Sequence, residues 1–175
     1  MDAIPFFLDF EASSLSPQSY PIELAWNLSD GTIESYLISP RGIESWTDWD
    51  PEAEQIHHIS KEVLLSGGQP PAAVCKRVKA QLAGRPVYCD APSFDGMWLA
   101  KLFSVCPNSE PGFELKHIDE LLVSMICPAR TDRAVGIAKI ASLKIEARKR
   151  KPLRHRAAWD VDYLIQLWQL ARSEA

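Results

Sequence analysis

Ile4-Pro5-Phe6-Phe7-Leu8-Asp9-Phe10-Glu11 is the stretch from which the rest of the 175-residue chain is read. Large apolar β formers in a nearly continuous run predict a buried strand. Residues two apart on a strand share a face, so Asp9 and Glu11 carry their carboxylates side by side, about 7 Å apart at the backbone. Like charges at the end of a buried strand repel and resist desolvation unless a cation sits between them or one takes a proton. A divalent metal answers both needs. A lone D-x-E also occurs by chance where a strand simply emerges into water, so the reading turns on whether further acids join it.

Outward from that strand, Ala12 to Tyr20 reads as a serine-rich loop. Ile22 to Asn27 and Thr32 to Ile38 predict two strands joined by a turn at Ser29-Asp30-Gly31. Ser39 to Pro51 is irregular, and Trp46 and Trp49 within it are read either as a stacking platform for bases or as packing residues. Helical pieces follow from Pro51 to Leu65, containing His57 and His58, and Ser66 to Pro71 breaks the chain. Val74, Val78 and Leu82 mark one face of a helix over 72–82, after which 86–89 is a short strand. Further helices are expected over 95–103, from Glu120, over 134–143 and from Ala157, with a strand over 113–118. Strands that first form a meander and then alternate with helices define an α/β domain with a mixed sheet, spanning residues 1–175 as one unit.

Composition narrows the class. Hydrophobic residues at 46% and charged residues at 24% are globular values. No apolar run approaches the roughly 20 residues a bilayer requires, and the N-terminus lacks a basic flank and cleavage site, so a cytoplasmic protein is expected. Cys75, Cys89, Cys106 and Cys127 form no C-x-x-C pair and are read as reduced core thiols. The net charge of −4 is unevenly spread, because seven basic residues crowd the stretch from Lys144 to Arg156 against one acid, Glu146. Read as a basic loop, that stretch is a candidate face for phosphates or simply a solvated one.

More acids do arrive. Asp95 follows a short strand at the start of a helix and Asp119 follows another; each alone reads as a helix cap. His155 precedes the last helix, and Asp160 lies in its first turn. Helix geometry does not separate Asp160 from Asp162, since both flank the apolar face at Val161.

In chain order, D-x-E at Asp9 and Glu11, F-D at Phe94 and Asp95, and H-x-x-x-x-D at His155 and Asp160 resemble the DEDDh family of 3′-to-5′ exonucleases. That family includes the polymerase proofreading subunit, ribonuclease T and oligoribonuclease. Pro21-Ile22-Glu23-Leu24-Ala25 is similar to its second strand, Ile56-His57-His58-Ile59-Ser60 to its I-H-G-I-T segment, and His155-Arg156-Ala157 to its H-R-A. The resemblance implies a ribonuclease H-like mixed β-sheet flanked by α-helices. It makes Asp9, Glu11, Asp95 and Asp160 the metal-binding acids and His155 the general base, choosing Asp160 over Asp162.

Two divalent ions, Mg²⁺ or Mn²⁺, are implied as cofactors, which suits an all-oxygen ligand set. Substrate contacts are expected from Ala12, Ser14, Leu15, His57 and Phe94, with Leu15 wedged against the terminal base and Arg154 and Arg156 among the phosphate-binding cations. The expected partner is single-stranded nucleic acid, RNA or DNA, and relatives of this size often form homodimers. Ser14, His58 and Asp90 depart from the family, which often has glycine, glycine and asparagine there. The rival reading is a catalytically silent module of the same fold that binds nucleic acid or protein. No nucleophile elbow, phosphate loop or dinucleotide fingerprint offers another chemistry.

Overall fold

The computed structural model describes residues 3–106, 110–127, 133–150 and 155–174, apart from the side chain of residue 133. Its centre is β1 (Phe6–Ala12), whose alternation sends Leu8, Phe10 and Ala12 into one core and Phe7 into the other. Asp9 and Glu11 share the face of Phe7. β2 (Pro21–Asn27) pairs antiparallel with β1, setting Ala25 opposite Asp9 and Glu23 opposite Glu11. β3 (Ile33–Leu37) pairs antiparallel with β2. The turn between them is closed by Gly31 at φ +88° and by the Asp30 carboxylate accepting from the Thr32 N–H at 2.9 Å.

Three short helices follow: α1 (Pro51–His57), α2 (Lys61–Gly67) and α3 (Pro71–Leu82). Asp50 caps α1 ahead of Pro51, and Ser60 caps α2. His58 ends α1 in the left-handed region at φ +58°. The chain then returns through β4 (Val87–Cys89), parallel to β1, crosses by α4 (Pro92–Ser104) and adds β5 (Leu115–His117) parallel to β4. The five-stranded order is β3-β2-β1-β4-β5. α5 (Ile118–Ile126), α6 (Arg133–Arg150) and α7 (Ala157–Ser173) complete the chain.

Each sheet face carries a core. On one, Leu8, Phe10 and Trp26 pack with Leu82, Trp98 and Leu102 from α3 and α4. On the other, Phe7 and Ala25 pack with Ile118, Leu122, Val161 and Leu164 from α5 and α7. The acids of β1 thus sit under α7, where the apolar stripe leaves off. Among the described residues no helix is long and apolar enough to cross a membrane.

Two expectations change and one alternative is decided. The stretch 144–150 is not loop but the last two turns of α6: Lys, Ile, Glu, Ala and Arg all propagate a helix, and the next breaker is Pro152. Trp46 is no stacking platform for bases. It is 3% exposed and stacks on Tyr20 at 5.2 Å, while Trp49 donates its indole N–H to Glu54 at 2.8 Å. Asp119 does not cap its helix; His117 does, its Nδ1 accepting from the Asp119 N–H at 3.0 Å, and the Asp119 carboxylate pairs with Lys144 at 2.6 Å.

Candidate active site

Five carboxylates converge where β1 and β4 end and α4 and α7 begin. Asp9, Glu11 and Asp160 bring ligand oxygens within 4.8 Å of one another, and Asp9, Asp90 and Asp95 do the same, so Asp9 belongs to both trios. β1 supplies Asp9 and Glu11, and the first turn of α7 supplies Asp160. Asp95 sits in the first turn of α4 but is not its cap, since the N-cap is Ala91 and makes no side-chain capping bond. Asp90, in the turn after β4, is a member that sequence reasoning missed. Its signal was the acid at the exit of a strand parallel to β1, level in the sheet with Asp9.

Burial and mutual repulsion leave their mark on every acid of the first trio and on Asp95. Burial, then Asp95, Glu11 and Asp160, push Asp9 well above the ordinary carboxylate range. Glu11 is pushed up to about 8 by burial and then by Asp160 and Glu23. Asp95 is pushed up to about 7, chiefly by burial, and Asp160 up to about 6 by burial and then Asp90. Asp95 Oδ2 and Asp160 Oδ1 are buried without a hydrogen-bond partner among the described residues. Buried carboxylate oxygens left unpaired are uncommon in folded proteins unless an ion or water completes them. The donor set is all oxygen, which fits a hard divalent cation.

Glu23 shows the contrasting case. It is 2% exposed, yet its carboxylate accepts from Ser35 Oγ at 2.9 Å, Arg156 Nε at 2.9 Å, Arg156 Nη2 at 2.8 Å and the Ala157 N–H at 3.1 Å. Those bonds anchor the start of α7. Arg156 therefore commits Nε and Nη2 to the protein's own carboxylate, a task the sequence reading did not foresee when it assigned Arg156 to phosphates. Arg154, assigned with it, lies outside the described residues.

Beside the acids opens a cavity of about 340 Å³ lined in part by Glu11, Ala12, Ser14, Leu15, His57 and His155. His155 is exposed at its mouth, with φ +47°. Leu15 is 72% exposed, an unpacked apolar residue at the cavity edge, and Phe94 is 40% exposed beside Trp98 at 5.6 Å. Ser14 is pinned, its hydroxyl donating to Asp48 at 2.5 Å. His57 is buried, and its Nδ1 accepts from the Ile59 N–H at 3.0 Å, so Nε2 carries the ring proton when the ring is neutral. That Nε2 has no partner among the described residues, and burial lowers the pKa of the ring.

The architecture is the ribonuclease H-like α/β fold, shared with exonuclease structures. Exonuclease I from Methylocaldum szegediense superposes with a TM-score of 0.67 at 19% identity, covering 96% of this chain and 40% of that one. Escherichia coli exonuclease I in complex with a dT13 oligonucleotide gives 0.65 at 15% identity, covering 97% and 41%. The zinc-bound complex of the same enzyme with single-stranded DNA gives 0.66 at 15% identity, covering 99% and 41%. The chain spans about two fifths of the length of these neighbours. No family model and no curated protein matches the sequence. All three neighbours are exonuclease I structures, and at 15–19% identity the likeness is one of fold.

Proposed function

We propose that this protein is a metal-dependent 3′-to-5′ exonuclease that hydrolyses phosphodiester bonds of single-stranded nucleic acid or short oligonucleotides. The observation that carries this reading is the pair of carboxylate trios sharing Asp9, set beside a cavity lined by both Glu11 and His155. Glu11 and Asp160 would hold one divalent cation with Asp9, and Asp95 would hold the second with the same residue. Two such cations would supply charge stabilisation for an in-line displacement at phosphorus.

The chain's own residues do the rest. His155 takes the proton of the attacking water, a role for which an exposed imidazole at the cavity mouth is placed. Leu15 and Phe94 offer apolar surface to the terminal base, and a cavity of about 340 Å³ is within the range of small-ligand sites. Glu23 and Arg156 fix the segment that presents His155 and Asp160. Lys144, Arg148 and Lys149 line a cleft on α6 that would receive the phosphates behind the scissile one.

Single-stranded DNA in complexes of the structural neighbours makes it the first substrate to try, with RNA of the same sequence beside it. Incubation of both, end-labelled, with Mg²⁺, Mn²⁺ or EDTA tests the reading. Metal-dependent shortening supports it; intact strands that bind without cleavage with every metal would instead make the chain a silent module.

A further inference from the structure

Asp90 has no place in the ligand set carried over from the exonuclease resemblance, yet its carboxylate closes the second trio, with Asp9 and Asp95. It caps nothing there: the N-cap of α4 is Ala91, which makes no side-chain bond to the helix. Within that trio Asp95 is 2% exposed and its Oδ2 has no hydrogen-bond partner among the described residues. A lone pair that deep wants a donor or an ion. Among the described residues the counter-charge beside Asp90 is Arg148, whose Nη2 lies 4.0 Å from Asp90 Oδ2 while its guanidinium rests over the Tyr163 ring at 4.2 Å. At that separation there is no hydrogen bond. With side chains 37% and 41% exposed the pair is weak, so Asp90 is not held away from the trio.

Resting on the exonuclease reading above, we propose that Asp90 is a direct ligand of the second divalent cation, and that Asp9, Asp90 and Asp95 form a three-carboxylate seat that fills before nucleic acid arrives. Two carboxylates leave much of an octahedral Mg²⁺ or Mn²⁺ shell to water and to the substrate's phosphate. A third supplies both another bond and another negative charge, which makes the seat strong enough to load without the phosphate. In the metal-free protein Arg148 offsets part of that charge; once a cation takes Asp90, the guanidinium is released into the cleft it lines with Lys144 and Lys149.

Mn²⁺ titration of the full chain without nucleic acid tests this, read by calorimetry and by the electron paramagnetic resonance of free Mn²⁺. The wild type binds two ions. Asp90→Asn keeps one site at wild-type affinity and weakens the other at least tenfold, the scale of effect expected when a metal's supporting shell is altered. Asp90→Glu, which retains the donor, recovers part of the loss, and Asp119→Asn, an acid outside both trios, leaves both sites intact. Thermal unfolding in EDTA shows each variant folded, because Asp90 is an exposed turn residue.

Two wild-type-affinity sites in Asp90→Asn, or equal weakening in Asp119→Asn, would overturn the proposal. So would a wild type that binds fewer than two ions until an oligonucleotide is added. Cleavage by the wild type in each of these cases would leave the exonuclease reading standing, whereas absence of metal-dependent cleavage by the wild type would remove that reading itself.

Discussion

Arg156 lies fork-on against Glu23, Nε to Oε2 at 2.9 Å and Nη2 to Oε1 at 2.8 Å. Glu23 stands across the β1–β2 ladder from Glu11, so this pair ties the acid-bearing part of the sheet to the segment carrying His155. Arg156→Ala removes two of the four donors from a carboxylate that is 2% exposed. The expected cost is about 3 kcal/mol, the low end for breaking a buried pair because the guanidinium itself is 46% exposed. Arg156→Lys keeps the charge without the fork and falls between. Urea unfolding beside single-turnover cleavage checks the account. A rate that falls only in proportion to the unfolded fraction would show that the pair does not position His155.

Metal-free stability should fall as pH rises. Glu11 near 8, Asp95 near 7 and Asp160 near 6 all hold protons more tightly in the folded state than at their ordinary values of 4.5 and 3.8. The folded state therefore binds more protons than the unfolded one, and the slope of unfolding free energy against pH is negative. This contribution is complete below about pH 4, is lost progressively, and is gone above about pH 8. Denaturant unfolding in EDTA from pH 5 to 9 measures it. Asp9→Asn removes a repelling charge and should raise stability at pH 9 more than at pH 5. Metal affinity runs the other way, rising across the same interval as protons leave the ligands.

His155→Asn should lower kcat by about 10²–10⁴ while leaving Mn²⁺ binding unchanged, the usual worth of a positioned proton acceptor. Asparagine is chosen because His155 sits at φ +47°, a conformation that asparagine accepts better than most residues. Thermal unfolding separates chemistry from folding. Full turnover by the variant would remove His155 from the base's role.

His58→Gly should stabilise the protein by about 0.5–1 kcal/mol, because a left-handed residue with a side chain costs about 1–2 kcal/mol and glycine returns part of that as chain entropy. The residue is exposed at φ +58° and closes α1, with its N–H donating to the Glu54 carbonyl at 2.8 Å. Glycine is also what the I-H-G-I-T segment carries that Ile56 to Ser60 resembles. Differential scanning calorimetry reads the shift, and cleavage rates should not move.

Much of this was legible in the chain because local signals agreed. The apolar run ending in Asp9 and Glu11, the Asp30-Gly31 turn and the apolar face from Val161 each specify their element alone. The extent of α6 was not, because a run of Lys and Arg reads equally as a solvated loop; its helical propensity decided the matter once the helix had begun at Arg133. Trp46 stayed open between base stacking and packing for lack of its partner, since only the fold brings Tyr20 from the first loop against it. Asp90 escaped because its neighbours Asp9 and Asp95 come from β1 and α4, and Asp-Ala-Pro reads locally as a turn. Glu23 and Arg156 stand 133 positions apart, beyond the reach of any local pattern.

Two trios that hold divalent ions would support metal-dependent shortening from the 3′ end. Its most direct test is a time course on single-stranded oligonucleotides labelled at the 5′ end or, in parallel, at the 3′ end, with Mn²⁺ or EDTA and with Asp9→Asn alongside. The expected result is a descending ladder from the 5′-labelled strand and immediate release of a labelled mononucleotide from the 3′-labelled one, both abolished by EDTA and by Asp9→Asn. Cleavage that survives in Asp9→Asn, or a ladder from the 3′-labelled strand instead, would contradict it.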